Sequence, residues 1–439
     1  MGNRVISTTS KALLLAVMLA LTSSCSYFPF HEDKQAAKTE RTVIRFWDEN
    51  AGPSRTPYYL ELFRRFEELH PNLKVEYSGI PVSFNKLKFD MAILSGDTPD
   101  VASMNAEWLA GFAAKGVLLP LDGYYAQWPE REQIADRFIS FNRGLAPDGR
   151  LYQIPGTFFF DVLWYRSDLL KKEGLAAPQS WDGFFQAVDR LDKPDQGRRG
   201  YSLRGGAGSI TQLTSLLYAY SGITEYFTKD GRCTINDPRH LEFLQRYTAL
   251  YGSRTKTSDI LNGYKEMVAA FDSGASAMFT HNFGSYRDHL SALGAANVGA
   301  ALLPRSVTGN RVMTLTANGY GIFRSTANPD AAWELVKFLL SEESQTYWNR
   351  NVGQLPTNQQ ALLQNFIQDT PFLKEALLAM EDNRTVMLRV PYNLPNYTDI
   401  IQQRLEPNFQ KVLSGSMTDE DFLNDWAQVM EQAYSHYRQ

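Results

Sequence analysis

The stretch from Ser95 to Asp122, SGDTPDVASMNAEWLAGFAAKGVLLPLD, predicts a helix end, a short buried strand and a second helix. Gly96 can adopt the left-handed conformation that closes a helix, and the Thr-Pro-Asp turn after it keeps the chain out of the helical region. Val101 to Met104 is a short, mostly apolar run, as expected for a strand covered on both faces. Asn105 is a suitable N-cap for the next helix, which ends at Lys115-Gly116. The stretch therefore predicts a strand–helix unit of an α/β fold.

Polar and aromatic side chains follow the carboxyl ends of two predicted strands. Asn105, Glu107 and Trp108 come directly after the strand described above. The alternating run from Thr42 to Trp47 predicts another strand, and the acidic pair Asp48-Glu49 follows it. Ligands bind at the carboxyl ends of strands in open α/β sheets, so we expect a binding site there.

The order of these motifs resembles the extracellular solute-binding proteins of ABC importers, in their large sugar-binding family. There a helix ending in S-G-D-x-P-D-V leads to a short strand, a W-x-x-x-F-A-x-x-G helix and an L-x-P-L-D loop, as in this chain. The resemblance extends from about Thr42 to the C-terminus. Two departures are Arg166, where the family has asparagine, and Tyr286, where tryptophan is frequent. Later segments with similar sequences are residues 149–155 (GRLYQIP), 271–278 (FDSGASAM), 318–321 (NGYG), 331–340 (AAWELVKFLL) and 353–356 (GQLP).

The first residues have the pattern of an export signal. Arg4 and Lys11 precede an apolar run from Ala12 to Leu21, which is too short to span a bilayer. Small residues then precede Cys25, an arrangement that resembles a bacterial lipobox, although Thr22 stands where leucine is preferred. We predict that residues 1–24 are a lipoprotein signal peptide, that Cys25 carries the lipid and that residues 25–40 are a flexible tether. A secretory signal cut nearby is the alternative.

The resemblance implies an α/β protein with the two-lobed periplasmic-binding-protein fold, in which a hinge of crossing segments joins the lobes and the ligand cleft lies between them. We expect the N-terminal lobe to contain residues 41–153 and 314–355, and the C-terminal lobe to contain residues 154–313 and 356–439. The crossings are expected near Gln153, Thr314 and Leu355.

Composition and motifs argue against several other functions. The chain has 439 residues and a formal charge of −4, which argues against a nucleic-acid partner. It has two cysteines and six scattered histidines, so we expect no metal site and no cofactor. There is no H-E-x-x-H, G-x-S-x-G or P-loop sequence. The adjacent carboxylates Asp48 and Glu49 point apart on a strand end, unlike the facing acids of a glycosidase. We therefore expect no enzyme.

A sugar site needs polar groups for the hydroxyls and aromatic faces for the C–H surfaces. The resemblance implies that strand ends and turns facing the cleft supply both. Tyr286 and Trp108 are the leading expected stacking residues. The leading polar anchors are Asp48, Glu49, Asn105 and Arg389. The full set of candidate ligand-binding residues is Asp48, Glu49, Asn105, Glu107, Trp108, Phe159, His281, Asn282, Tyr286, Asn318, Tyr320 and Arg389.

The function that these features imply is a lipid-anchored, monomeric receptor in the cell envelope. It binds a sugar, expected to be an oligosaccharide or glycoside, and delivers it to a membrane-embedded ABC permease. One alternative is a non-sugar solute: a polyamine would need several acids and aromatic rings together, and a polyol phosphate would need basic groups or clustered N–H donors. The alternative from another class is a secreted glycan-active enzyme.

Overall fold

The computed structural model describes residues 41–438, except for the side chains of residues 365, 366 and 438. The predicted signal peptide, the tether and Cys25 lie outside the described residues. No helix in residues 41–438 is both long and apolar enough to cross a bilayer. Within this range the strands are β1 (Thr42–Asp48), β2 (Leu73–Gly79), β3 (Val101–Asn105), β4 (Ile154–Phe159), β5 (Asp161–Arg166), β6 (Met278–Asn282), β7 (Val298–Leu302), β8 (Arg311–Thr314), β9 (Thr316–Ile322), β10 (Leu355–Pro356) and β11 (Thr385–Leu388).

The α-helices connect these strands and cover the sheets. They are α1 (Thr56–Leu69), α2 (Asn85–Ser95), α3 (Ala106–Ala114), α4 (Asp122–Gln127), α5 (Asp136–Arg143), α6 (Ser167–Lys172), α7 (Trp181–Leu191), α8 (Ser209–Ser221), α9 (Pro238–Thr248), α10 (Tyr264–Asp272), α11 (Tyr286–Leu293), α12 (Pro329–Leu340), α13 (Glu342–Val352), α14 (Gln359–Leu362), α15 (Asn365–Gln368), α16 (Pro371–Glu381), α17 (Tyr397–Ile400), α18 (Glu406–Leu413) and α19 (Asp419–Arg438).

The strand–helix unit predicted from residues 95–122 is confirmed, and its ends are fixed by local contacts. Gly96 ends α2 with a φ of 75°. The carboxylate of Asp100 accepts a hydrogen bond from the backbone N–H of Arg45 at 2.7 Å, which joins the turn to β1. Asn105 caps α3 by accepting from the backbone N–H of Glu107 at 3.0 Å. These contacts set where β3 stops and therefore which residues stand at its carboxyl end.

The first lobe is built on a six-stranded sheet with the order β10-β4-β9-β3-β1-β2. Strands β1, β2 and β3 run parallel to one another, so their carboxyl ends meet at one edge. Strand β9 runs antiparallel to β3 and places Asn318 opposite Asn105. One face of α1 packs into the core of this lobe through Tyr59, Leu62, Phe63 and Phe66. The edge formed by the ends of β1 and β3 is where the site is built.

The second lobe contains the three-stranded sheet β6-β5-β7. Strand β5 lies between antiparallel neighbours on both sides, and its Val162, Leu163 and Trp164 are fully buried. A separate two-stranded parallel sheet pairs β8 with β11. Two lobes with a ligand cleft between them are therefore present, as the sequence predicts.

Two of the segments that connect one sheet to another are a single residue long. Phe160 separates β4 from β5, and Leu315 separates β8 from β9. The first crossing therefore lies beyond β4 and not near Gln153 as expected, because β4 pairs with β9 in the sheet of the first lobe. The crossing at Leu315 is adjacent to the expected Thr314. The division of the rest of the chain between the lobes stays a prediction.

Candidate functional site

Glu49 is the carboxylate that the end of β1 directs toward the cleft. Its side chain is 4% exposed and accepts hydrogen bonds from the amides of Asn318 at 2.9 Å and Asn85 at 3.3 Å. Burial raises the pKa of Glu49 to about 7, although the nearby Arg55 guanidinium acts to lower this pKa. Glu49 is therefore a buried acid that neutral donors hold in place and that titrates close to neutral pH.

Asp48 has a different role from the expected ligand anchor. Its carboxylate is fully buried and accepts from Arg55 at 3.1 Å, Tyr77 at 3.1 Å and the backbone N–H of Asn50 at 3.2 Å. All of these donors belong to the first lobe, so the carboxylate holds the β1 end, α1 and β2 together. The structure assigns Asp48 to the internal support of the site.

Arg204 is the cationic group on the second-lobe side of the cleft. Its Nε–H donates to the backbone oxygen of Ala207 at 2.7 Å. Burial lowers the pKa of Arg204, whereas the negative charges of Glu406, Asp161 and Glu107 act to raise it. The guanidinium therefore lies among carboxylates that come from three other segments of the chain.

Each of these carboxylates is held by a neutral donor. Burial raises the pKa of Asp161 to about 6, and this carboxylate accepts from Ser215. Burial likewise raises the pKa of Glu406 to about 7, and Glu406 accepts from the backbone N–H of Gly208. The carboxylate of Glu107 accepts from the hydroxyl of Thr211 at 3.1 Å, and burial again raises its pKa. These three acids and Glu49 are defined here as the cleft carboxylates.

Hydrogen bonds join the two lobes at this place. The Thr211–Glu107 bond connects α8 of the second lobe to α3 of the first. The hydroxyl of Tyr264, at the start of α10, donates to the side-chain oxygen of Asn50 at 3.3 Å. Because both bonds span the cleft, they belong to the arrangement in which the lobes are in contact. Opening of the lobes about Phe160 and Leu315 would break them.

The expected aromatic stacking residues are mostly part of the protein core. Trp108 is 4% exposed, and its ring lies 5.5 Å from that of Phe89, so its role as a leading stacking residue is corrected to a core role. Tyr320 is also buried and lies beneath Gly156, where a Cβ would come 2.9 Å from its ring. Both aromatic side chains are therefore used for packing in the first lobe.

Of the other expected aromatic residues, Phe159 ends β4 in the sheet of the first lobe, whereas His281 and Tyr286 lie in and directly after β6 in the second lobe. Phe159 is buried with its ring 6.2 Å from that of Phe283. Tyr286 is half-buried and stacks on Trp164, with ring centroids 6.1 Å apart. His281 is buried and stacks on Tyr264 at 5.5 Å, and burial holds the pKa of this imidazole well below its usual range. Among these residues His281 is the one in contact with a cleft residue.

Three of the expected polar residues have structural or exposed positions. Asn105 and Asn282 cap the segments that follow β3 and β6, because their side-chain oxygens accept from backbone N–H groups at 3.0 Å and 2.9 Å. Arg389 is exposed after β11 and makes no ion pair within the described part of the chain. Asn105 lies opposite Asn318 in the pairing of β3 with β9, but its side-chain oxygen is occupied by the cap of α3.

Arg204, Asp161, Tyr264 and Glu406 are cleft residues that the sequence reasoning missed. The one available signal was the glycine-rich run after Arg204. A Cβ at Gly206 would come 2.4 Å from the backbone oxygen of Leu261, so only glycine permits this close approach. That packing fixes the loop and thereby places Arg204 at the cleft.

Cavities lie at several places in the described part of the chain. One of about 10 Å³ lies in the first lobe and is lined by Arg55, Ser103 and Asn318 among others. A small cavity of about 10 Å³, lined by Asp161, Ser215 and Thr314 among others, lies where β8 and β5 meet, and it is large enough for about one water. A wider groove of about 760 Å³ is lined by residues of α1, α12 and α13 and shares no lining residue with the cleft. The groove carries charges of both signs and none of the cleft carboxylates, so the chemistry favours the cleft as the functional site.

The pKa of Glu49 leads to a prediction about stability. The folded protein holds the Glu49 proton up to a pH of about 7, whereas the unfolded chain releases it near the ordinary value of 4.5. The contribution of this proton to the free energy of unfolding is therefore fully present below pH 4.5 and is lost as the pH rises through about 7. From pH ~5 to pH ~8 we expect the wild type to lose roughly 2–3 kcal/mol of unfolding free energy relative to Glu49→Gln.

Urea unfolding of both proteins without ligand at the two pH values measures this difference. The buried neutral histidines His240 and His281 change stability in the opposite direction, but they do so in both proteins and cancel in the comparison. The exposed Glu76→Gln on β2 is the matched control and should show no pH-dependent difference. A constant difference between wild type and Glu49→Gln would contradict the prediction.

The six-stranded and three-stranded sheets form separate lobes, and single-residue crossings join them beside a buried polar cleft. This arrangement defines a two-lobed solute-binding protein. Residues 52–346 match the family described as bacterial extracellular solute-binding protein. The chain belongs to this family.

Curated relatives support the same class. The mannitol-binding protein of Pseudomonas aeruginosa is 26% identical over 391 residues, which are 82% of this chain and 86% of the relative. A putative binding protein of Brucella abortus is 24% identical over 312 residues, which are 69% of this chain and 73% of the relative.

Solved structures show the same fold. The maltose-bound MalE3 of Thermotoga maritima superposes with a TM-score of 0.78 at 21% identity, covering 89% of this chain and all of that one (100%). The GacH receptor of Streptomyces glaucescens superposes with a TM-score of 0.78 at 22% identity, covering 90% of this chain and 99% of that one.

Proposed function

We propose that this protein is an extracytoplasmic receptor that binds a sugar or a polyol between its lobes and delivers it to an ABC permease. The observation that carries the proposal is the convergence of buried carboxylate, amide, hydroxyl and guanidinium groups from both lobes at one cleft. A polyhydroxylated ligand needs paired donors and acceptors of this kind, placed so that both lobes contact it. The proposed contacts are Glu49, Asn318, Glu107, Arg204 and Tyr264.

The relatives give this ligand class its support. The curated relative from Pseudomonas aeruginosa is named for mannitol, and solved structures of the same fold are described with maltose, tagatose or ribitol bound. An oligosaccharide, as the sequence resemblance implies, and a small polyol remain the two sizes of ligand to distinguish. A thermal-shift screen over mono-, di- and trisaccharides and polyols distinguishes them.

Two of the proposed contacts give a direct test of the site. Asn318→Ala and Tyr264→Phe each remove one cleft donor, so a ligand hydroxyl is left unpaired at a cost of about 1–3 kcal/mol. We expect calorimetry on the folded variants to show about 10- to 100-fold weaker binding of the best ligand in the screen.

The exposed Asn72→Ala, at the turn before β2, is the matched control and should bind as the wild type does. If both cleft variants keep wild-type affinity, the site assignment is wrong. If no sugar or polyol in the screen binds at millimolar concentration, the proposed ligand class is wrong.

We also propose that Cys25 anchors the protein to the membrane by lipid and that the receptor acts as a monomer. The support is the apolar run and the small residues before Cys25, together with a family whose description is extracellular. Labelled palmitate should be incorporated into the wild type and not into Cys25→Ser. Labelling of neither protein would reject the anchor without affecting the binding proposal.

A further inference from the structure

The cleft has an excess of negative charge that the protein does not neutralise. The cleft carboxylates come from both lobes, and Arg204 is the basic group most closely surrounded by them. The other nearby base, Arg55, is already bonded to Asp48 at 3.1 Å. Within residues 41–438, neither Arg204 nor any cleft carboxylate forms an ion pair within 4 Å.

The bonds that the cleft carboxylates do make come from neutral groups. Glu49 accepts from two amides, Glu107 from a hydroxyl and Glu406 from a backbone N–H. Arg204 donates to a backbone oxygen instead of to any of these acids. Buried carboxylates without a bonded cation are costly because they have lost water, and the charge of Glu107 also raises the pKa of Glu406 by repulsion. An arriving positive charge would relieve both costs at once.

We propose that the ligand of this cleft carries a protonated amine in addition to hydroxyl groups, as an amino sugar or an amino polyol does. This inference rests on the function proposed above and narrows its ligand class. A primary ammonium group has three N–H donors, and the carboxylates of Glu107 in the first lobe and Asp161 in the second, which both act on the pKa of Arg204, are charged acceptors from the two lobes. Charge-assisted hydrogen bonds of this kind are about twice as strong as neutral ones.

The spacing of the acids favours an organic cation over a metal ion. In the described part of the chain, no three His, Cys, Asp or Glu side chains are close enough to hold one metal ion. The proposed positive charge is therefore assigned to an organic solute and not to a metal ion. Tyr264 and Tyr392 contribute aromatic rings near Arg204 and Glu107, respectively, which is the combination of acids and aromatic rings that an amine ligand requires.

The same charge distribution excludes phosphorylated ligands. A phosphate would enter a cleft with several carboxylates and one closely placed guanidinium, so repulsion would exceed attraction. The polyol phosphate considered as an alternative from sequence is therefore not supported by the cleft.

Matched pairs of ligands test the inference on the full chain. Glucitol is compared with glucamine, and glucose with glucosamine, by calorimetry and thermal shift at low salt and at a pH of about 7.5. Glucitol phosphate, putrescine and spermidine complete the set. In each pair we expect the amine to bind at least about tenfold more tightly than the neutral compound. We expect no binding of glucitol phosphate.

Each result has one meaning. If glucitol and glucose bind as tightly as the corresponding amines or more tightly, the amine inference is overturned and the proposed sugar or polyol function is unaffected. Binding of putrescine or spermidine alone supports the amine contact and overturns the sugar or polyol function. Binding of none of these compounds overturns the inference, whereas the broader sugar and polyol screen still decides the proposed function.

Charge-removing variants test the residues. Glu49→Gln and Asp161→Asn should each reduce the preference for the amine over the neutral compound by about fivefold to tenfold, because each removes one charge and keeps the shape. Glu107→Gln is the third variant if either of these fails to fold. Glu76→Gln, on the outer surface, should leave the preference unchanged. An unchanged preference in the folded cleft variants would overturn the assignment of the amine to these acids.

Discussion

Replacing Asp48 by alanine is expected to lower the free energy of unfolding by about 3–5 kcal/mol. The variant removes a fully buried carboxylate and leaves Arg55, which is 7% exposed, without a counter-charge. Arg55 cannot easily move to solvent, because its guanidinium lies 5.0 Å from the ring centroid of Trp348. Its Nε already lacks a partner among the described residues. Urea denaturation monitored by tryptophan fluorescence measures the loss.

Two comparisons separate this effect from a general loss of charge. The ion pair of Arg45 with Asp97 is similar in length, at 2.9 Å, but the Asp97 side chain is 73% exposed. Asp97→Ala should therefore cost less than about 1 kcal/mol. The double variant Asp48→Leu with Arg55→Met removes both charges and should recover much of the lost stability. If Asp48→Ala is as stable as Asp97→Ala, the supporting role of Asp48 is wrong.

The second large effect is expected for Trp108→Ala, which should cost about 3–5 kcal/mol because a buried indole leaves a cavity. The indole lies 5.5 Å from the ring of Phe89 and 6.1 Å from that of Phe112, inside the core beneath α3. Thermal and urea unfolding measure the cost. Trp108→Phe keeps most of the volume and should lose much less stability.

Ligand affinity distinguishes a core residue from a stacking residue. The folded fraction of Trp108→Ala should bind the ligand within about twofold of the wild type, since the buried indole packs against Phe89 and Phe112. Stability close to wild type combined with a loss of affinity of tenfold or more would restore the role expected from sequence. The two measurements therefore decide between the interpretations without reference to the identity of the ligand.

The local structure around the cleft was predictable from sequence because its signals act over a few residues. Asn105 caps α3 through the backbone of Glu107, two positions later, and Gly96 ends α2 through its own positive φ. A short apolar strand between such signals forms in any compact α/β arrangement. The family resemblance rests on the same caps, glycine stops and short strands. The sequence therefore determined the fold class and the edge of the sheet at which the site lies.

The tertiary structure alone decided which side chains at that edge belong to the cleft. Asp48 and Glu49 are adjacent, yet Asp48 pairs with Arg55 in its own lobe and Glu49 is held by Asn318, 269 positions later. Arg204 and Glu406 reach the cleft from loops and helices that no local pattern connects to β1. The burial and pKa of a carboxylate depend on groups brought from distant parts of the chain, and a strand-end motif holds no information about them.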